Sequence, residues 1–272
     1  MTPPDHTLAP SPALAVGISP CPNDVFIFSG WILGRTAAPL ATFAFEDVQT
    51  LNVMARQGAF DLVKVSYANA PSCPGTELLA CGGALGRGCG PLLLTGGEPW
   101  DASRTVLVPG EHTTANFLLD FWNAHVGGPA LRKRFVPFDA LYRELKSDPS
   151  AQGVVIHEMR FTYQADGLSA VQDLGAAWEN VTGFPIPLGA LIRRERVGVP
   201  SRTALETAVR ASLEWAWTHE DEALALCAQY AQDMTPEVMR SHIDLYVNDF
   251  SRDLGQSGQS AVRFFVERLA NA

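Results

Sequence analysis

Four apolar runs in this sequence each lead into residues able to move a proton or hold an anion. Leu14–Ser19 (LAVGIS) ends at Ser19 and runs into Asn23 and Asp24. Asp61–Ser66 (DLVKVS) carries Lys64, Val65 and Ser66. Thr105–Val108 is followed by Gly110-Glu111-His112-Thr113-Thr114, and Gly153–His157 (GVVIH) closes on His157. A histidine at a strand end facing a cleft is a candidate general base near neutral pH; an isolated one is more often structural. Thr113-Thr114 opens a helix, so its hydroxyls and free amides either bind an anion or simply cap the helix. Lys64 lies among Leu62, Val63 and Val65, where a lysine snorkels to solvent or pairs with an anion in a pocket. Only three of the 20 basic residues are lysines (Lys64, Lys133, Lys146), which favours the pocket. Ser66 points to the same side as Lys64 by strand alternation. Glu158 would face away from His157 if that strand ran on, so no His–Glu dyad is implied. Cys21 lies near a helix start, where a thiolate is stabilised. Nothing marks a base for it, and it reads as a packing residue, as do Tyr246 and Asn248.

The elements that position these residues alternate. Short apolar strands are predicted at Leu14–Ser19, Thr42–Phe45, Asp61–Ser66, Leu92–Thr95, Thr105–Val108, Gly153–His157 and Ala190–Arg193. Helices are predicted from Asn23 or Asp24 to Leu33, over Asp47–Gln57 with Gly58 as the stop, and over Ala115–Ala124. From Thr203 the chain reads as helical throughout: Thr203–His219, Glu220–Gln232, Thr235–Asn248 and Ser260–Ala270. Apolar strands alternating with helices imply an α/β fold with largely parallel sheets. Gly/Pro clusters at Gly96–Pro99 and Gly183–Gly189 read as two crossings between lobes. The expected division is a disordered tail over 1–13, a discontinuous lobe over 14–103 and 187–272, and an inserted lobe over 104–186. Ligands of such sheets sit outside the carboxyl ends of strands, so the four polar ends converge on one cleft.

Composition narrows the function. The 272 residues suggest roughly one to two domains of about 150 residues. A net charge of −9 argues against sequence-independent nucleic-acid binding. Five cysteines without a CxxC pair fit a reducing compartment. No apolar run approaches the ~18 residues of a membrane span, and no signal-peptide pattern precedes the first strand. The expected location is the cytoplasm, with a small-molecule partner rather than nucleic acid or membrane. Gly82–Gly90 does not fit GxGxxG and precedes a strand, so it reads as a tight loop. His157-Glu158 begins like HExxH, but Phe161 stands at the second histidine position; no metal is expected.

One ordered set of segments is specific. Ser19-Pro20-Cys21-Pro22-Asn23-Asp24 with Phe26-Ile27-Phe28 is followed by Glu46-Asp47-Val48 and Leu51-Asn52. Lys64-Val65-Ser66-Tyr67, the glycine run Gly82 to Gly88, and Gly110 to Thr114 come next. Ile156-His157-Glu158, Arg160-Phe161-Thr162-Tyr163, Tyr246-Val247-Asn248 and Phe250-Ser251 complete it. Together these resemble the 1,4-dihydroxy-6-naphthoate synthase family of the futalosine route to menaquinone, from about Val16 to the last helix. The resemblance implies a periplasmic-binding-protein-like fold of type II, two α/β lobes around a central ligand cleft. It implies a cofactor-independent carbon–carbon lyase that converts cyclic dehypoxanthinyl futalosine to 1,4-dihydroxy-6-naphthoate and a dihydroxyacetone-type fragment. His157 matches the proton acceptor. Lys64-Val65-Ser66 and Thr113-Thr114 match the substrate-binding segments, with Ser19 and Asn23 as further candidates. Val25, where threonine is common, and Met159, where a small residue is usual, depart from the pattern without removing a functional group. Two alternatives remain: a non-catalytic solute-binding protein of the same fold, and the sister chorismate dehydratase.

Overall fold

The computed structural model describes residues 13–231 and 234–271. The tail expected over 1–13 therefore lies outside the described residues, apart from Ala13. The first five strands are β1 (Leu14–Ile18), β2 (Ala41–Phe45), β3 (Leu62–Ser66), β4 (Thr76–Leu78) and β5 (Ala84–Gly86). The next five are β6 (Leu92–Thr95), β7 (Val106–Val108), β8 (Lys133–Phe135), β9 (Gln152–Val155) and β10 (Ser169–Asp173), and β11 (Ile186–Arg194) follows. One sheet has the order β2-β1-β3-β11-β4, with β5 also paired to β11. The other has the order β10-β6-β9-β7-β8.

Both sheets are mixed, which corrects the largely parallel expectation. β1 is parallel to β2 and β3, but β11 is antiparallel to β3, β4 and β5. In the other sheet β7 is parallel to β8 and β9, while β6 is antiparallel to β9 and β10. The antiparallel strands are those that carry the chain from one lobe to the other and so enter a sheet from its far end. The crossing also comes earlier than expected. Leu92–Thr95, expected in the lobe spanning 14–103, pairs with β9 and β10 of the second sheet. Gly82–Gly90 is not only a loop, because it contains β5.

The early helices are α1 (Pro22–Ile32), α2 (Val48–Gln57), α3 (Thr114–His125), α4 (Phe138–Ser147), α5 (Met159–Thr162) and α6 (Leu174–Thr182). The later ones are α7 (Arg202–Thr218), α8 (Glu220–Tyr230), α9 (Pro236–Tyr246), α10 (Asp249–Arg252) and α11 (Gly255–Ala270). α1 starts at Pro22 rather than Asn23 or Asp24, since proline is pre-set for a first helical turn. It is mostly apolar, is buried on every side and packs against α7, α8 and α9. α2 is capped by Asp47, whose carboxylate accepts from the Gln49 and Thr50 amides. α11 bridges the lobes: it packs on β11 of the first sheet, and its Phe265 meets Phe117 of α3 and Trp178 of α6 at ring distances of 4.8 and 5.4 Å.

The crossing into the second lobe is clamped by close backbone packing. A Cβ on Gly90 would lie 2.3 Å from the Cα of Gly175 at the start of α6. Arg160 of α5 holds the same point, donating to the Gly90 carbonyl at 2.6 Å and pairing with Asp173 at 2.6 Å. Gly90→Ala is expected to cost about 1–3 kcal/mol by overpacking. A urea midpoint equal to that of the parent protein would contradict it.

Candidate functional site

The two sheets face each other across a cleft lined from both sides, the kind of place where small ligands bind. Every residue expected at the site lines it: Ser19, Asn23, Lys64, Val65, Ser66, Thr113, Thr114 and His157. A second hollow opens alongside and shares Ser19, Cys21 and His157 with the first.

Lys64 is 4% exposed and its ammonium pairs with Asp24, which is 2% exposed. The anion expected beside this lysine is thus first a carboxylate of the chain itself, since a buried ammonium needs a permanent counter-charge. Asp24 sits in the first turn of α1, where the helix dipole favours a carboxylate. It also accepts from the Ser19 hydroxyl at 2.7 Å and the Asn23 amide at 2.9 Å. Ser19 and Asn23 thus hold Asp24, and Asp24 holds Lys64. The lysine stem runs flat along β11, where a Cβ on Gly189 would lie 2.8 Å from Lys64 Cε. Val65 is fully buried between Lys64 and Ser66.

Ser66 is bound on both its backbone and its hydroxyl by Asn52. The Ser66 amide donates to Asn52 Oδ1 at 2.8 Å, and Asn52 Nδ2 donates to Ser66 Oγ at 3.1 Å. The same Nδ2 reaches the His112 carbonyl at 3.0 Å and so ties α2 to the loop before α3. The Ser66 hydroxyl proton is left for a ligand.

The threonine pair divides its work. The Thr113 hydroxyl donates to the Gly110 carbonyl and accepts from the Asn116 amide, so it is a helix cap. The Thr114 hydroxyl donates to Leu188 of β11 at 3.1 Å. Among the described residues no partner is recorded for the backbone N–H of Thr114 or Ala115. These first-turn amides are the groups of α3 that remain for an anion.

His157 lies two residues beyond the end of β9, not on the strand, at φ 57°. A non-glycine residue at positive φ is uncommon and is held there by its surroundings. The turn leads into α5, so Glu158 does not continue strand alternation. Burial lowers the His157 pKa, but Cys21 opposes this through charge and a hydrogen bond. Glu158 and Asp24 add to that, and the net value rises to about 9. Cys21, read as packing, is thus the partner of His157 from the start of α1. His242 and Tyr246 of α9 also line the cleft. Asp24, Asn52, Cys21, His242 and Tyr246 are site residues that sequence reasoning did not assign. Asp24 alone left a signal, as an acid in a helix-opening turn beside Ser19 and Asn23.

A family profile described as menaquinone biosynthesis matches residues 14–271. A 1,4-dihydroxy-6-naphthoate synthase of Streptomyces coelicolor is 44% identical, over 94% of this chain and 93% of that relative. One of Thermus thermophilus is 42% identical, over 95% and 94%. The chain belongs to the 1,4-dihydroxy-6-naphthoate synthase family. Its role is in menaquinone biosynthesis. Among solved structures, protein AF1704 of Archaeoglobus fulgidus superposes with a TM-score of 0.87 at 26% identity, covering 95% of this chain and 97% of that one. The alkanesulfonate-binding protein SsuA of Xanthomonas axonopodis pv. citri superposes at 0.65 with 12% identity, covering 96% and 95%. The synthase family member described here thus has the periplasmic-binding-protein-like architecture, two α/β lobes around a cleft.

Proposed function

We propose that this protein is a carbon–carbon lyase that converts cyclic dehypoxanthinyl futalosine to 1,4-dihydroxy-6-naphthoate and a three-carbon, dihydroxyacetone-type fragment. The observation that carries the reading is the position of His157, which shares one cleft with the free amides of α3, Lys64 and Ser66. The substrate carboxylate lies against the Thr114 and Ala115 amides, with the Ser66 hydroxyl and the remaining Lys64 N–H groups alongside. His157 takes a proton from the sugar-derived part, the carbon–carbon bond breaks, and aromatisation of the ring drives the step. Lobe closure keeps water from the reacting intermediate. Incubating the protein with the cyclic compound and following naphthoate release tests the reading. Binding without turnover would leave a solute-binding protein, and turnover of chorismate alone would leave the dehydratase.

The base role makes a signed pH prediction. His157 must be neutral to accept a proton, and with a pKa of about 9 only about 1% of it is neutral at pH 7. The value of kcat/KM is expected to rise about tenfold per pH unit from pH 6 to 8 and to level off near pH 9. Cys21→Ala removes the largest upward influence, so the midpoint is expected to fall. Profiles with the same midpoint in both proteins would contradict this account of Cys21.

A further inference from the structure

His242 stands on α9, one turn before Tyr246, and is 1% exposed. Both ring nitrogens are buried, and among the described residues neither has a hydrogen-bond partner. Buried polar atoms in folded proteins are nearly always paired, and a neutral imidazole has one donor and one acceptor to satisfy. A structural histidine is tied to a carbonyl or a carboxylate, whereas this ring is surrounded by other rings. Tyr246 lies 4.6 Å away, Phe161 6.4 Å and His157 6.5 Å, centroid to centroid. His242 is one of the residues that line the cleft. An inert wall would be better served by an apolar ring, which leaves nothing unpaired.

We propose that His242 is a substrate-contacting residue whose imidazole hydrogen-bonds an uncharged oxygen of the ligand, a hydroxyl or a carbonyl, beside His157. The proposal rests on the substrate reading above and adds to it the group that meets the ligand's uncharged end. Burial, reinforced by His157, pushes the His242 pKa down to about 3, so the ring stays neutral. A neutral N–H suits a hydroxyl or carbonyl oxygen, while the carboxylate is left to the α3 amides and Lys64. The two imidazoles act in opposite senses. His157 accepts the proton, and the His242 hydrogen bond strengthens as negative charge builds on the oxygen it touches.

The test measures kcat, KM and Tm with cyclic dehypoxanthinyl futalosine for the parent protein, His242→Phe and His242→Gln, with His242→Leu as a second apolar variant should phenylalanine not fold. The apolar variant is expected to keep or raise Tm, because it removes unpaired buried nitrogens. Its kcat/KM is expected to fall at least about tenfold. Glutamine, which restores a donor and an acceptor, is expected to recover part of that loss. A kcat/KM within twofold of the parent in the apolar variant overturns the contact. Whatever Tm does, a glutamine variant no better than the apolar one overturns it too. Absence of turnover by the parent protein sinks the substrate reading and this contact with it. Turnover by the parent and the apolar variant alike sinks the contact alone.

Discussion

Replacing His157 with asparagine is expected to lower kcat by about 10²–10⁴-fold while leaving the fold intact. Asparagine is chosen for a backbone reason. The residue sits at φ 57°, a left-handed conformation that asparagine tolerates and alanine resists. An alanine variant would mix the loss of a base with backbone strain, whereas asparagine removes only the imidazole. Two further readouts separate chemistry from positioning. Substrate affinity is expected to change little, because the amides of α3, Ser66 and Lys64 remain. The rise of kcat/KM toward pH 9 is expected to disappear, because the titrating group is gone. Turnover within a few-fold of the parent would remove His157 from the mechanism.

The second large effect concerns Asp24. Its pairing with Lys64 is almost wholly buried. Asp24→Asn leaves an ammonium without a counter-charge, a change that typically costs about 3–5 kcal/mol. For a chain of this size that corresponds to a fall in Tm of roughly 6–20 °C. The companion prediction is that Lys64→Met added to Asp24→Asn recovers most of the stability but not the activity. An apolar side chain satisfies the core there, but no longer offers N–H groups to the cleft. A single Asp24→Asn variant as stable as the parent would show that Lys64 finds another partner or loses its proton. A double variant no better than the single one would show that the cost lies in the Ser19 and Asn23 hydrogen bonds instead.

Legibility varied with the range of the interaction. The helix cap at Asp47 and the strand DLVKVS rest on neighbours a few residues away, and both could be read from the chain. α4 was missed although Leu141, Tyr142 and Leu145 have helical spacing. The three-residue β8 is too short and too exposed to leave a pattern. The site was legible as a set of strand ends, because polar residues after apolar strands collect where the sheets open. Its internal wiring was not. Lys64 looked like a cation in search of an anion, and its sequence gave no hint that the anion was Asp24, 40 residues earlier. Cys21 stands between two prolines and His242 between Ser241 and Ile243, and neither setting marks a group that reaches the cleft.

From the amino-acid order alone came the α/β class, the early helix limits, the family resemblance and the residues that gather at the cleft. Local forces suffice for these, since capping, apolar runs and strand alternation act within one or two turns of chain. Tertiary structure alone decided the mixed direction of the sheets, the early crossing before Leu92, and the contacts of α11 with both lobes. It also decided which polar groups are already engaged and which are left for a ligand. Among the described residues, Lys64 and the two threonine hydroxyls are tied to protein partners, while two α3 amides, the Ser66 proton and both His242 nitrogens are not. A sequence pattern reports that a polar residue is buried, but only the packed chain shows what it is buried against.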